Sequence, residues 1–206
     1  MLSAVAVWWA RCARKPRCLG FGIQSPFAVG VQRDVIGTRL PYYAYEALHS
    51  ERRQGGAAVP AHSEAVDRLL LRVANFVQPR VVLLPDAGGW KWSGKYMAAG
   101  CRRAGQRSYR TEEDLAQLLP NAADPVLLCF RDCVGALRWL PQWQDRLHPG
   151  SVAFIVGLRR NREARRAWQA LSQAVEGGPL FDLYDVGLVF CDRQFSHQLY
   201  KTEVFL

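Results

Sequence analysis

Short apolar runs alternate with stretches of helical periodicity along most of this chain. "RVVLLP" (80–85), "PVLLCF" (125–130) and "SVAFIVGL" (151–158) are continuous and rich in valine and leucine, the pattern of strands buried on both faces. Before the first run, Val66, Leu69, Leu70, Val73 and Val77 fall at helical spacing. That spacing predicts an amphipathic helix over 64–77 with one buried stripe, capped by Ser63 and stopped by Pro79. A second helix is expected over 94–104. Thr111 and Asp114 stand at capping-box spacing, so another helix starts near Glu112. A helical stretch broken by Pro141 follows the second apolar run. After the third, Asn161 caps a helix whose core stripe is Ala164, Ala167, Trp168, Leu171 and Val175. "LFDLYDVGLVFC" (180–191) and "LYKTEVFL" (199–206) predict two closing strands.

Strand and helix in alternation define an α/β fold: a Rossmann-like, mostly parallel sheet with helices on both faces and antiparallel closing strands at the C-terminus. Residues 1–60 read as a helical N-terminal extension, with helices over 1–20, before Pro41 and over 41–53, and residues 61–206 as the sheet domain. In such sheets ligands sit beyond the carboxyl ends of the strands. The glycine-rich stretch "DAGGWKWSGK" (86–95) leaves the first strand at such an end.

Composition narrows the picture little further. Among 206 residues, 27 Lys and Arg outweigh 18 Asp and Glu, a formal charge of +9. That excess suits phosphate-bearing ligands, anionic surfaces or an acidic protein partner, with nucleic acid the least favoured. The six cysteines match no zinc or redox spacing, which points to a reducing cytoplasm. No run reaches the roughly 20 apolar residues that span a bilayer. The apolar stretch Leu2–Ala10 has its arginines after it, the reverse of an export signal. That stretch could also pack on a second copy or another protein, so oligomeric state is open. The histidines His49, His62, His148 and His197 are scattered and read as surface residues, and no metal set assembles by spacing.

The glycine stretch admits two readings. Gly89 to Lys95 satisfies the pattern of a phosphate-cradling P-loop, with Gly89, Gly94 and Lys95 in the defining positions. Tyr96 stands where a hydroxyl would hold magnesium, so that ligand is missing. Alternatively, Asp86-Ala87-Gly88 forms the acid-x-glycine turn of an adenosine-binding loop.

Four further stretches favour the second reading. "GIQSPF" (22–27), "PYYAYEALHSER" (41–52), "LHPGSVAFIV" with "REARRAW" (147–168) and "FDLYDVGLVFCDRQFSHQLYK" (181–201) occur in the order expected of one family. The chain resembles class I S-adenosylmethionine-dependent methyltransferases of the O-methyltransferase-like kind, over nearly its whole length. The resemblance implies S-adenosylmethionine as cofactor, with Asp86, Gly88, Gly89, Trp92 and Glu112 as its binding residues. Trp92 would stack on adenine, and Glu112 would stand in for the acid that holds the ribose.

The departures from that family fall on its chemistry. Trp90 and Trp92 crowd the loop, and fewer than twenty residues separate Gly105 from the strand at 125, so one strand–helix unit is lost. Where the family has "FDGNH", this chain has "FRDC", with Arg131 in place of the acid and Asp132 one residue on. Where the family has "DDIHWS", this chain has "VGLRRN" (156–161). Lys95, Arg131, Arg159, Arg160 and Arg162 would instead form an anion or partner site. Three functions are compatible with these residues: a binding protein on a degenerate methyltransferase scaffold, an active divergent methyltransferase, or a P-loop-like phosphate binder.

Overall fold

The structure, a computed structural model, describes residues 23, 25–54, 59–119 and 123–202. Helix α1 (Pro26–Gly30) is capped by the Ser25 hydroxyl and runs into a π-helical turn, Val31–Ile36. It is followed by α2 (Tyr45–Gln54), α3 (Glu64–Val77), β1 (Val81–Pro85), α4 (Trp90–Gly100) and β2 (Gly105–Tyr109). The remainder comprises α5 (Glu112–Leu118), β3 (Val126–Phe130), α6 (Cys133–Trp143), β4 (Val152–Val156), α7 (Arg162–Ala174), β5 (Pro179–Asp182), β6 (Val186–Phe190) and β7 (Gln198–Lys201).

The strands form one sheet in the order β2-β1-β3-β4-β6-β5-β7. Strands β2, β1, β3 and β4 are parallel, and β6 alone runs against its neighbours β4 and β5. The pleat sends alternate side chains to opposite faces. Val82, Leu84, Leu127, Cys129 and Phe154 join α1, α3 and α4 in one apolar cluster. Val81, Leu83, Leu128, Phe130 and Ile155 meet α6 and α7 in another. Helices thus cover both faces, as the pattern predicted. Ala28, Val31, Val35 and Ile36 share the first cluster, so the segment before residue 60 packs on the same core.

Four strand and helix expectations need correction. Strand β2 was not predicted, because Gly105, Gln106, Arg107 and Ser108 are exposed and carry no apolar signal. It forms by backbone pairing to β1, from Val81↔Gly105 to Pro85↔Tyr109, at the sheet's edge. Among the described residues, β2 and α5 alone lie between Gly105 and β3. Residues 180–191 are two strands, not one: Leu183 N–H donates to the Val186 carbonyl (2.8 Å) across a turn in which Tyr184 has φ +79°. Helix α4 begins at Trp90, four residues ahead of expectation, and α6 continues through Pro141.

Other local signals held. Thr111 and Asp114 make the capping box of α5, and the Asn161 side chain accepts from Ala164 N–H (2.7 Å) at the start of α7. All five residues of the α7 stripe are buried. Ser63 occupies the N-cap of α3 without a side-chain bond, and α3 buries Asp67 and Arg72 as well as its apolar stripe. The expectations over residues 1–20 and 203–206 lie outside the described residues. No described helix is long and apolar enough to cross a membrane.

Candidate functional site

Strand β1 delivers Pro85 and Asp86 to the carboxyl edge of the sheet. Asp86 N–H donates to the Tyr109 carbonyl (2.7 Å), which fastens the exits of β1 and β2 together. Ala87 N–H turns back to the Pro85 carbonyl (2.8 Å), and Trp90 N–H to the Ala87 carbonyl (2.8 Å). Residues 86–89 are therefore a tight strand-to-helix turn.

The carboxylate of Asp86 is taken by Arg110, whose Nε lies 2.9 Å from Asp86 Oδ2. Arg110 is the first residue after β2. Both side chains are well exposed, so the pair contributes little stability. Its importance is positional: it places a cation at the exit of the second strand. Glu112 begins α5 two residues later, and nothing is described of its side chain. Asp114 is committed to the cap, accepting from Arg110 and Thr111 N–H groups, and these bonds hold its carboxyl below the usual range.

The two glycines differ. A Cβ on Gly88 would meet open space, whereas one on Gly89 would lie 2.6 Å from Ala61 N. Ala61 N–H donates to the Gly89 carbonyl (3.1 Å), so Gly89 admits this chain's own segment 59–63 rather than a ligand. Beside Gly88 a cleft of about 520 Å³ opens between α4 and β2, lined by Asp86, Lys91, Lys95, Gln106 and Ser108 among others.

Trp92 does not line that cleft. It is buried in α4 with the Lys95 ammonium 4.7 Å from its ring centroid, so the expected adenine stack is not formed by this residue. Trp90 is the tryptophan that reaches the cleft. Lys95 lies at the cleft's edge and is ion-paired to Glu51, which removes it from a simple anion site. The P-loop reading also fails on geometry. Residues 90–95 are already helical, so they form no loop whose amides curl round a phosphate.

A buried polar set anchors segment 59–63. Asp67, fully buried, accepts from Ser93 Oγ (2.6 Å) and is ion-paired to Arg52. Arg52 in turn donates to the His62 carbonyl (2.6 Å). Burial pushes the Asp67 carboxyl up, and the bonds from Ser93 and Arg52 pull it back. His62 packs edge-on against Trp90 at 4.4 Å between centroids, not at the surface as expected. Burial, then the Arg52 and Arg160 charges, lower its pKa to about 4, so the ring is neutral at physiological pH. Sequence spacing carries no signal for this placement, since residue 62 meets Trp90 only through the folded turn.

The remaining basic residues divide. Arg159 turns inward and makes a two-pronged ion pair with the buried Asp182 (2.9 and 2.7 Å), so it belongs to the structure and not to an anion site. Arg131, Arg160 and Arg162 are exposed and make no ion pair among the described residues. Asp132 caps α6 through Gly135 N–H (2.8 Å). With Arg138, Arg160 and Asn161 it lines a second cleft of about 360 Å³ between the starts of α6 and α7. Among the described residues no group of His, Cys, Asp and Glu is placed to hold a metal ion.

No family model matches this chain, and no curated protein does. Among solved structures, a structural-genomics protein from Corynebacterium glutamicum is similar at 13% identity and TM-score 0.52, covering 81% of this chain and 95% of its own. An O-methyltransferase from Bacillus cereus in complex with SAH is similar at 12% identity and TM-score 0.48, covering 74% and 92%. A cofactor-bound protein from MTB is similar at 15% identity and TM-score 0.49, covering 82% and 99%. The likeness to the first, at this identity, is one of Rossmann-like fold.

Proposed function

We propose that this chain is a binding protein built on a class I methyltransferase scaffold whose cofactor site no longer works. The observation that carries the reading is Arg110. It stands at the exit of β2, two residues before Glu112, the carboxylate that the resemblance assigns to the ribose, and it engages Asp86. A guanidinium only donates hydrogen bonds, so it cannot accept those of ribose hydroxyls. The remaining residues do not fit S-adenosylmethionine either. Ala61 occupies the approach to Gly89, and Trp92 is committed elsewhere. The reacting end is altered too, with Val156 and Gly157 in place of two carboxylates. Valine and glycine neither bind a cation nor take a proton, so these positions supply no group for methyl transfer.

The exposed Arg131, Arg160 and Arg162 support a binding role toward an acidic protein or other anionic ligand. Four free, buried cysteines among the described residues suit a reducing, cytoplasmic setting. One observation favours the other reading, an active divergent methyltransferase: Gly88 faces open space beside the cleft that Asp86 lines.

Thermal unfolding with S-adenosylmethionine separates the two. Ligand at a hundred times its Kd stabilises by about 2.7 kcal/mol, which is a shift on the order of 5–10 °C for a chain of this size. We expect no shift at about 1 mM. A shift of several degrees that Asp86→Ala removes would restore the enzyme reading.

A further inference from the structure

A larger cleft stands apart from the one beside the glycine turn. It lies on the other side of α3, bounded by residues 38–41 and α2, and has a volume of about 600 Å³. Leu40, Pro41, Tyr45 and Ala65 supply apolar wall, and Leu40 is 72% exposed at the lip. The polar lining comprises Arg39, Arg68 and Arg72 with Glu46, Glu64 and His49. Arginines outnumber glutamates there by three to two.

Arg72 is the unusual member. It is 5% exposed, yet no carboxylate pairs with it among the described residues. Its Nε donates to the Val35 carbonyl (2.6 Å) and its Nη1 to the Tyr45 hydroxyl (3.2 Å). Nη2 has no partner. A buried guanidinium held by neutral acceptors alone bears a desolvation cost that a counter-charge normally offsets. An unsatisfied buried donor of this kind marks a missing acceptor. The nearby acid cannot serve, because Glu64 accepts from Arg68 (2.6 and 2.9 Å) and lies 2.7 Å from His49 Nδ1. One helical turn above Arg72 on α3, Arg68 lies 4.9 Å over the Tyr45 ring, so both cations border the same apolar wall.

We infer that this cleft binds a small monocarboxylate with an apolar body. Its head group supplies the acceptor that Arg72 lacks, and its body lies along Leu40, Pro41 and Tyr45. A carboxylate gives Arg72 its acceptor with one negative charge facing Glu46 and Glu64, whereas a phosphate dianion would face them with two. Nη2 is shielded from bulk water, so the head group displaces the side chains that cap it. The inference is independent of the glycine turn.

The test is calorimetric titration of the full chain with octanoate, and with octanol as the uncharged control. We expect saturable octanoate binding at about millimolar Kd or tighter, and none with octanol. Arg72→Met should weaken octanoate at least about tenfold, as loss of a charge-assisted bond does. Leu40→Asp, at an exposed position that leaves the fold intact, should weaken it similarly. Where Arg72→Met fails to fold, Arg68→Gln takes its place. Absence of saturable binding at about 10 mM octanoate overturns the inference, as does equal binding of octanol. Octanoate binding untouched by both the arginine variant and Leu40→Asp would also overturn it, and would leave the niche around Arg72 to water alone.

Discussion

Replacing Asp182 with alanine should strip the partner from a guanidinium that is itself largely buried. Asp182 is 2% exposed and the Arg159 side chain 19%. Asp182 accepts both prongs of Arg159 and also the Tyr184 N–H (3.0 Å). Arg159 additionally donates to the Tyr184 carbonyl and lies 4.7 Å over its ring. The pair therefore holds the β5–β6 turn in which Tyr184 takes φ +79°, a conformation that is costly for a bulky residue. Breaking one side of a buried pair costs about 3–5 kcal/mol, because the remaining charge is left uncompensated. At roughly 2–4 °C per kcal/mol for a chain of this length, Tm should fall on the order of 10 °C. Denaturation followed by far-ultraviolet circular dichroism at pH 7 measures this directly. The double variant Arg159→Met/Asp182→Leu removes both charges together and should recover at least half of the loss. A cost below about 1 kcal/mol for Asp182→Ala, or a double variant as unstable as the single one, would refute the reasoning.

Two further outcomes rest on named contacts. The pKa of His62 is lowered from 6.5 to about 4, so folding favours its neutral form. Stability from this group is complete above pH 6.5 and is lost as pH falls toward 4. The loss should be on the order of 2 kcal/mol after allowance for solvent screening, and His62→Phe should flatten that acid limb in unfolding titrations. Gly187 on β6 lies under the Trp168 indole, where a Cβ would come within 2.7 Å of ring carbons. Gly187→Ala should therefore cost about 1–3 kcal/mol by overpacking, read from the denaturant midpoint at unchanged slope.

Much of this fold was legible because burial and pattern coincide. The strands β1, β3 and β4 are apolar at every position since both of their faces are covered, and their sequences show it. The α7 stripe and the caps at Thr111 and Asn161 are local events, so local spacing predicts them. Strand β2 was illegible because an exposed edge strand needs only backbone pairing. The β5–β6 turn was hidden because Leu183-Tyr184-Asp185 contains no glycine or proline to mark a turn. At the candidate site, Asp86 and Gly88 line the cleft because the residues directly after β1 leave the sheet at its carboxyl edge. Arg159 could not be told from Arg160 by spacing, because only the hairpin brings Asp182 beneath the former. Arg110 was missed for the same reason: its meaning depends on β2 lying next to β1.

The central claim is that Arg110 and Ala61 leave no working cofactor site. Isothermal titration of the purified chain with S-adenosylhomocysteine, alongside Asp86→Ala and Arg110→Ala, tests it most directly. The account predicts no saturable heat up to about 1 mM ligand for the unaltered chain or for Asp86→Ala. Micromolar binding by the unaltered chain, abolished by Asp86→Ala and retained by Arg110→Ala, would contradict it.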